Sequence, residues 1–304
     1  MAVKLTRRDF MRGCAGLAAL LTGGCGLPFP LGADAEQFVR NYLSKFPEPA
    51  EPVVSPDDVS YWPSNLRDSD GERLTKGSFL VFHGFNGGKK VMNAEAIELS
   101  DLGYSFVKFS YPRGVRTYKE VARVGERVFQ DYSREEIERT NHVAVGYSLG
   151  GPAAMTYAIN AQTHPKGVVL VNTAIEHPLL PRWMESDLLF NLWANSIIMT
   201  PEDEWGDSRP YKEDALSLFL DMERFEGDLN KFRGNVLYVV SSTDPIFTRD
   251  IVENTIEKLA AREAGEVRFY SVDGQNGHEM DNHVLASIIA ENLDFLFANN
   301  NGQE

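Results

Sequence analysis

From residue 78 onward one pattern repeats: a short run of mostly Val, Leu, Phe, Tyr or Ala, then a longer stretch with helical spacing. The apolar runs fall at 79–82, 104–109, 143–145, 168–171, 236–240 and 267–270. The helical stretches fall at 91–102, 119–132, 152–161, 249–263 and 282–298. A run with no polar alternation is a strand covered on both faces, and strands that alternate with helices are joined by crossovers. Together these predict an α/β fold with a mostly parallel sheet and helices on both faces. With 304 residues and 43% apolar content, the chain can bury one large core, and one domain over 77–298 is the expectation.

The alternation stops for about sixty residues, and an insertion spans about 173–233. It holds two apolar stripes at helical spacing. One, over 186–199, carries Leu188, Leu189, Phe190, Leu192, Trp193, Ile197 and Ile198; the other, over 214–225, carries Leu216, Phe219, Leu220 and Met222. An insertion after that strand would leave the sheet at its C-terminal edge, so the stripes serve either as a helical cap over that edge or as additional core. Residues 36–76 read as an N-terminal spacer and early strands. Pro47, Pro49, Pro52 and Pro56 stiffen the first part, Val59, Tyr61 and Trp62 fit an edge strand limited by Pro63, and 67–73 reads as a turn.

Residues 1–35 have another composition. Lys4, Arg7, Arg8 and Arg12 precede an uncharged, Gly-rich, mildly apolar run, as in an export signal, and Thr6 to Arg12 resembles the bacterial twin-arginine motif. Two ends suit such a signal. Leu21-Thr22-Gly23-Gly24-Cys25 resembles a lipoprotein box that would put a lipid anchor on Cys25, and Ala33-Asp34-Ala35 fits ordinary cleavage before Glu36. Either would place the domain outside the cytoplasm, in the periplasm or cell envelope. Cys14 and Cys25 are the only cysteines, so the rest of the chain is expected to carry no disulfide and no cysteine metal site. A formal net charge of −14 argues against a nucleic-acid partner.

The residues able to carry chemistry centre on His142 to Ala154, where an apolar run enters Gly146-Tyr147-Ser148-Leu149-Gly150 and a helical stretch leaves it. A strand, a sharp turn and a helix in that order present the central serine at the strand's C-terminal end, and small residues two positions either side prevent clashes. A serine hydroxyl is a weak nucleophile near neutral pH and needs a base, itself oriented by a third group. Of the six histidines, His142 and His164 belong to the opposite end of the sheet, His177 to the insertion and His83 to the loop after the first clear strand. His283 follows the helix-capping pair Asp281-Asn282.

Ser148 in its elbow, His83-Gly84, Asp244 and Gly277-His278 give 77–298 a resemblance to the α/β-hydrolase superfamily of serine hydrolases. The resemblance implies chain order nucleophile, acid, base: Ser148, Asp244 and His278. Asp244 lies just beyond an apolar run and before Pro245; Asp273 and Glu279 are the alternative acids. It also implies an oxyanion hole from the backbone N–H groups of Phe85 and Leu149. A phosphate-binding reading of the glycines at 84, 87 and 88 is weak, because no Gly-Lys-Ser/Thr follows them. The implied activity is hydrolysis of small-molecule carboxylic esters through an acyl-enzyme, without metal or cofactor. Among its subclasses the chain looks most like lysophospholipases and monoglyceride lipases, with Phe190 and Trp193 against an apolar acyl group. Thioesterases and peptidases share the same triad, and a non-catalytic binder of apolar ligands could use the same fold.

Overall fold

The computed structural model describes residues 52–84, 88–176, 214, 217, 218, 221, 222, 225–244, 246–273, 277, 278 and 280–298. The export signal, Phe85, Glu279 and the stripe carrying Phe190 and Trp193 lie outside them.

Among the described residues the chain forms one seven-stranded sheet. Its strands are β1 Val59–Trp62, β2 Gly77–Phe82, β3 Tyr104–Phe109, β4 His142–Tyr147, β5 Gly167–Val171, β6 Asn235–Ser241 and β7 Val267–Val272. The spatial order is β1-β3-β2-β4-β5-β6-β7, and every pairing is parallel except β1 against β3. The α/β expectation and its strand positions hold, and Val59, Tyr61 and Trp62 do form the edge strand. The register places Val145 of β4 beside Val81 of β2 and Val169 of β5, so the C-terminal ends of the parallel strands share one edge. The loops that follow β2, β4, β5, β6 and β7 therefore all open on one side of the molecule, where an open α/β sheet keeps its ligand site.

The helices include α1 Asn93–Asp101, α2 Tyr118–Tyr132, α3 Glu136–Thr140, α4 Gly150–Asn160, α5 Arg249–Ala260, α6 Asn282–Glu291 and α7 Leu293–Leu296. Side chains alternate across a strand, so the sheet builds two apolar layers. On one face Leu80, Phe82, Val107, Ala144, Leu170 and Tyr238 pack with Val121, Phe129, Ala154 and Met155 of α2 and α4. On the other Phe79, Val81, Phe106, Val145, Val169 and Leu237 pack with Ala96 and Leu99 of α1 and Leu285 and Ile289 of α6.

Two expectations change, and one open alternative is decided at the described positions. β7 is not a strand buried on both faces: Arg268, Phe269 and Ser271 are exposed, because it is the last strand in the order. The single helix read over 282–298 is two, interrupted at Asn292, whose side-chain N–H bonds Ile288 O at 2.8 Å and Tyr270 Oη at 3.1 Å instead of facing solvent. At the C-terminal end of the insertion, Leu218 and Met222 are buried in the α2/α4 layer. Here Asp214 Oδ2 accepts Gly114 N–H at 2.8 Å and Asp221 Oδ2 accepts Tyr118 N–H at 2.6 Å. These described positions of the second stripe are additional core, fastened to the start of α2.

Candidate active site

β4 ends at Tyr147 and α4 begins at Gly150, leaving Ser148 and Leu149 to make the whole reversal. Ser148 takes φ 52, in the left-handed region that costs a residue with a side chain about 1 kcal/mol or more. The strain is held by its surroundings. Ser148 N–H bonds Val171 O at 2.9 Å, Gly151 N–H bonds Ser148 O at 3.0 Å, and Thr173 Oγ1–H also donates to Ser148 O. Gly150 is required by space: a Cβ there would lie 2.1 Å from Phe82 O. The elbow thus sits directly on the end of β2, and Gly84 backs the serine so closely that a Cβ on it would fall 2.8 Å from Ser148 Cβ.

The loop after β7 brings His278 to this point. Its Nε2 lies 2.7 Å from Ser148 Oγ and its Nδ1 lies 2.7 Å from Asp244 Oδ2. A neutral imidazole has one N–H. With the proton on Nδ1 facing the carboxylate, Nε2 is left as the acceptor for the serine hydroxyl. Asp244 follows β6, and its side chain is 1% exposed. Its second oxygen accepts Ile246 N–H at 2.8 Å and Phe247 N–H at 3.3 Å. Those bonds orient the carboxylate. Asp244 does not cap the helix that follows, since α5 starts later, after Thr248. The rings of Tyr147 and Phe247 flank His278 with centroids 6.1 and 5.6 Å away.

Sequence reasoning therefore names the three residues that the fold brings together. Leu149 is buried at the N-terminal end of α4, where backbone N–H groups lack intrahelical partners and the helix dipole favours negative charge. Asp273 lies just past β7 without replacing Asp244 as the bonded partner of His278. His142 is buried at the far end of β4 between Arg139 O and Tyr157 Oη, as its place at the start of the apolar run implies, and His283 lies in α6, behind the Asp281 cap.

His83 has a structural role that the sequence did not reveal. Its Nε2 accepts Tyr111 N–H at 3.1 Å, so the proton must sit on Nδ1, which donates to Gly84 O, and its ring stacks on Tyr111 with centroids 3.8 Å apart. Complete burial lowers its pKa to about 4, keeping it neutral and fixing the turn that lies against Ser148. Two more residues act on the site through the His278 main chain. Tyr147 Oη–H and Asn172 Nδ2–H both donate to the main-chain oxygen of His278, at 3.1 and 2.8 Å. Tyr147 occupies the variable position of the elbow motif and Asn172 directly follows an apolar run, which are the only sequence signals pointing to either.

No protein-family model matches this sequence, and no curated protein matches it. Solved structures match the fold. An esterase from Exiguobacterium antarcticum superposes with TM-score 0.56 at 15% identity, covering 78% of this chain and 94% of its own. A monoacylglycerol lipase from Paleococcus ferrophilus gives 0.53 at 16%, covering 77% and 98%. Est1E from Butyrivibrio proteoclasticus gives 0.55 at 14%, covering 82% and 100%. The chain has an α/β-hydrolase fold. At such identities the likeness defines the architecture, and the chemistry has to be argued from the site.

Proposed function

We propose that this protein is a serine hydrolase that cleaves carboxylic esters. The observation that carries the reading is the unbroken line Ser148 Oγ, His278 Nε2, His278 Nδ1, Asp244 Oδ2, with 2.7 Å at each hydrogen bond and the serine on a strained turn at the sheet's C-terminal edge. His278 takes the serine proton as Ser148 Oγ attacks the ester carbonyl. The resulting imidazolium is stabilised by the buried Asp244 carboxylate, and His278 then returns the proton to the departing alkoxide. The acyl group stays on Ser148 until water, activated by the same imidazole, releases it. Phe85 and Leu149 N–H groups are assigned to the tetrahedral oxyanion; each such donor contributes about 3 kcal/mol to the transition state. The test is labelling with a fluorophosphonate. Wild-type protein should react and Ser148→Ala should not, whereas equal labelling of the two would overturn the assignment.

For the substrate we propose an apolar acyl group, as in monoacylglycerols or lysophospholipids. Support comes from the stripe with Phe190 and Trp193, inserted after β5, whose neighbouring loops carry Ser148 and Asp244. Burying a methylene contributes about 0.8 kcal/mol, so two more carbons should raise kcat/KM about tenfold until the pocket fills. The expected result with p-nitrophenyl esters is a preference for medium chains over acetate, weakened by Trp193→Ala. Indifference to chain length would remove the acyl reading and leave ester hydrolysis standing. We also propose export, from Arg7 and Arg8 and the apolar run behind them; the mass of the mature N-terminus separates lipidation at Cys25 from cleavage after Ala35.

A further inference from the structure

Resting on the assignment of His278 as the base, we infer that Tyr147 and Asn172 are positioning residues that fix the His278 main chain and so set the reach of its imidazole. His278 lies in a turn, outside any helix or strand, immediately after Gly277 at φ 72. A turn of that kind does not by itself hold a ring within 2.7 Å of two partners at once. The main-chain oxygen of His278 accepts two hydrogen bonds, from Tyr147 Oη–H and from Asn172 Nδ2–H. Tyr147 Oη in turn accepts Met280 N–H at 3.3 Å, so the phenol grips the loop on both sides of residue 279.

The far ends of these side chains explain the geometry. Tyr147 directly precedes Ser148, so its bond ties the base loop to the nucleophile. Asn172 Oδ1 accepts Ser241 N–H at 2.6 Å, at the last residue of β6 and three residues before Asp244, so its bond ties the base loop to the acid. Asn172 is fully buried at φ 42, a conformation that asparagine tolerates better than most residues, and its own N–H bonds Val239 O at 2.9 Å. One carbonyl oxygen therefore braces the three loops that supply nucleophile, acid and base. A misplacement of about 1 Å in a reacting group can cost about a hundredfold in rate, so holding this carbonyl bears directly on proton transfer between Ser148 and His278.

Two substitutions separate this role from general support. Tyr147→Phe keeps the ring and removes the hydroxyl from a half-buried position. Asn172→Asp keeps size, tolerance of positive φ and the acceptor for Ser241, but turns an oxygen toward the His278 carbonyl. The expected losses in kcat are about tenfold for Tyr147→Phe and about a hundredfold for Asn172→Asp, with KM changed less than about twofold. In a His278→Ala background, Tyr147→Phe should leave the residual rate unchanged, because the brace acts only through the imidazole. A readout without substrate is the downfield proton NMR signal of His278 Nδ1–H, expected in wild type and broadened or lost in both variants.

Wild-type kcat with an intact NMR signal in Tyr147→Phe would overturn the inference. So would a change confined to KM, which would make Tyr147 a substrate contact, or an equal loss in the His278→Ala background. Should Asn172→Asp fail to fold, Tyr147→Phe decides alone. Loss of the NMR signal in a protein that fluorophosphonate does not label would keep the brace and discard the hydrolase reading.

Discussion

The loop after β4 and the loop after β7 meet at one hydrogen bond, yet they are held by different means. The elbow is fixed mainly by main chain and contact: Ser148 N–H on Val171 O, Gly151 N–H on Ser148 O, and Gly150 pressed against the end of β2, with one side-chain bond from Thr173 to Ser148 O. The base loop is fixed by side chains that arrive from far along the sequence, Tyr147 from 131 residues away and Asn172 from 106. Main-chain bonds and close contacts leave a strained serine no alternative position. Side-chain bonds, in contrast, can be removed one at a time. Damage to the elbow should therefore appear as lost stability, and damage to the base loop as lost turnover in a folded protein.

The largest expected effect lies on the base side. Asp244→Asn keeps the side chain's shape but favours the wrong imidazole tautomer, since an amide N–H facing Nδ1 would leave the proton on Nε2. Turnover should fall by about 10³- to 10⁴-fold with little change in KM, measured on a p-nitrophenyl ester, while the melting temperature stays near wild type. A fall of less than tenfold would return the acid role to Asp273 or Glu279. On the elbow side, Gly150→Ala should do the reverse. Its Cβ would meet the Phe82 carbonyl at 2.1 Å, and relief requires moving β2 or α4, at a cost of about 4 kcal/mol. For a domain of this size that lowers the melting temperature by roughly 10 °C, which calorimetry would detect. A stable but inactive Gly150→Ala protein would break the contrast between the loops.

This difference also explains what was legible beforehand. The elbow is local: its glycines, apolar lead-in and helix stand in one short stretch, so strand, turn and central serine could be read together. Asp244 and His278 were legible because each follows an apolar run at the correct edge of the sheet and fits the chain order that the α/β-hydrolase resemblance implies. Tyr147 and Asn172 were not, because one tyrosine and one asparagine form no pattern, and what makes them matter is a carbonyl more than a hundred residues away. The same limit explains the 214–225 stripe. Apolar spacing shows that a face is buried but not against what, and the bond from Tyr118 N–H to Asp221 that seats this segment spans 103 residues.

A third loop, the one after β2, is held by groups that titrate, and this yields the smallest of the effects. His83 fixes Gly84, and beyond the turn the buried Lys108 ammonium donates to Asn93 Oδ1 at the start of α1, over the Trp62 ring at 5.0 Å. Burial is the main cause of both shifts beside it, raising Glu95 to about 7 and lowering Lys108 to about 8; Lys108 and His283 ease the Glu95 charge and Glu98 opposes it. Glu95 ionises near 4.5 when unfolded, so between about 4.5 and 7 the folded state binds more protons and stability falls as pH rises. His83 works in the other direction. Folded at about 4 against 6.5 unfolded, it contributes stability that is present above 6.5 and lost as pH falls towards 4. The two slopes oppose each other, so wild-type stability should be nearly flat across their shared window. Glu95→Gln removes one of them. Lys108 titrates above this window in the wild type, and losing its partner lowers its pKa further, which adds to the variant's gain only near pH 7. Relative to wild type, Glu95→Gln should therefore gain about 2 kcal/mol between pH 5 and 7, an upper bound for a paired group. Urea melts at half-unit pH steps measure that difference. Parallel curves would mean that Glu95 titrates alike folded and unfolded, and that the loop after β2 is as insensitive to pH as the elbow.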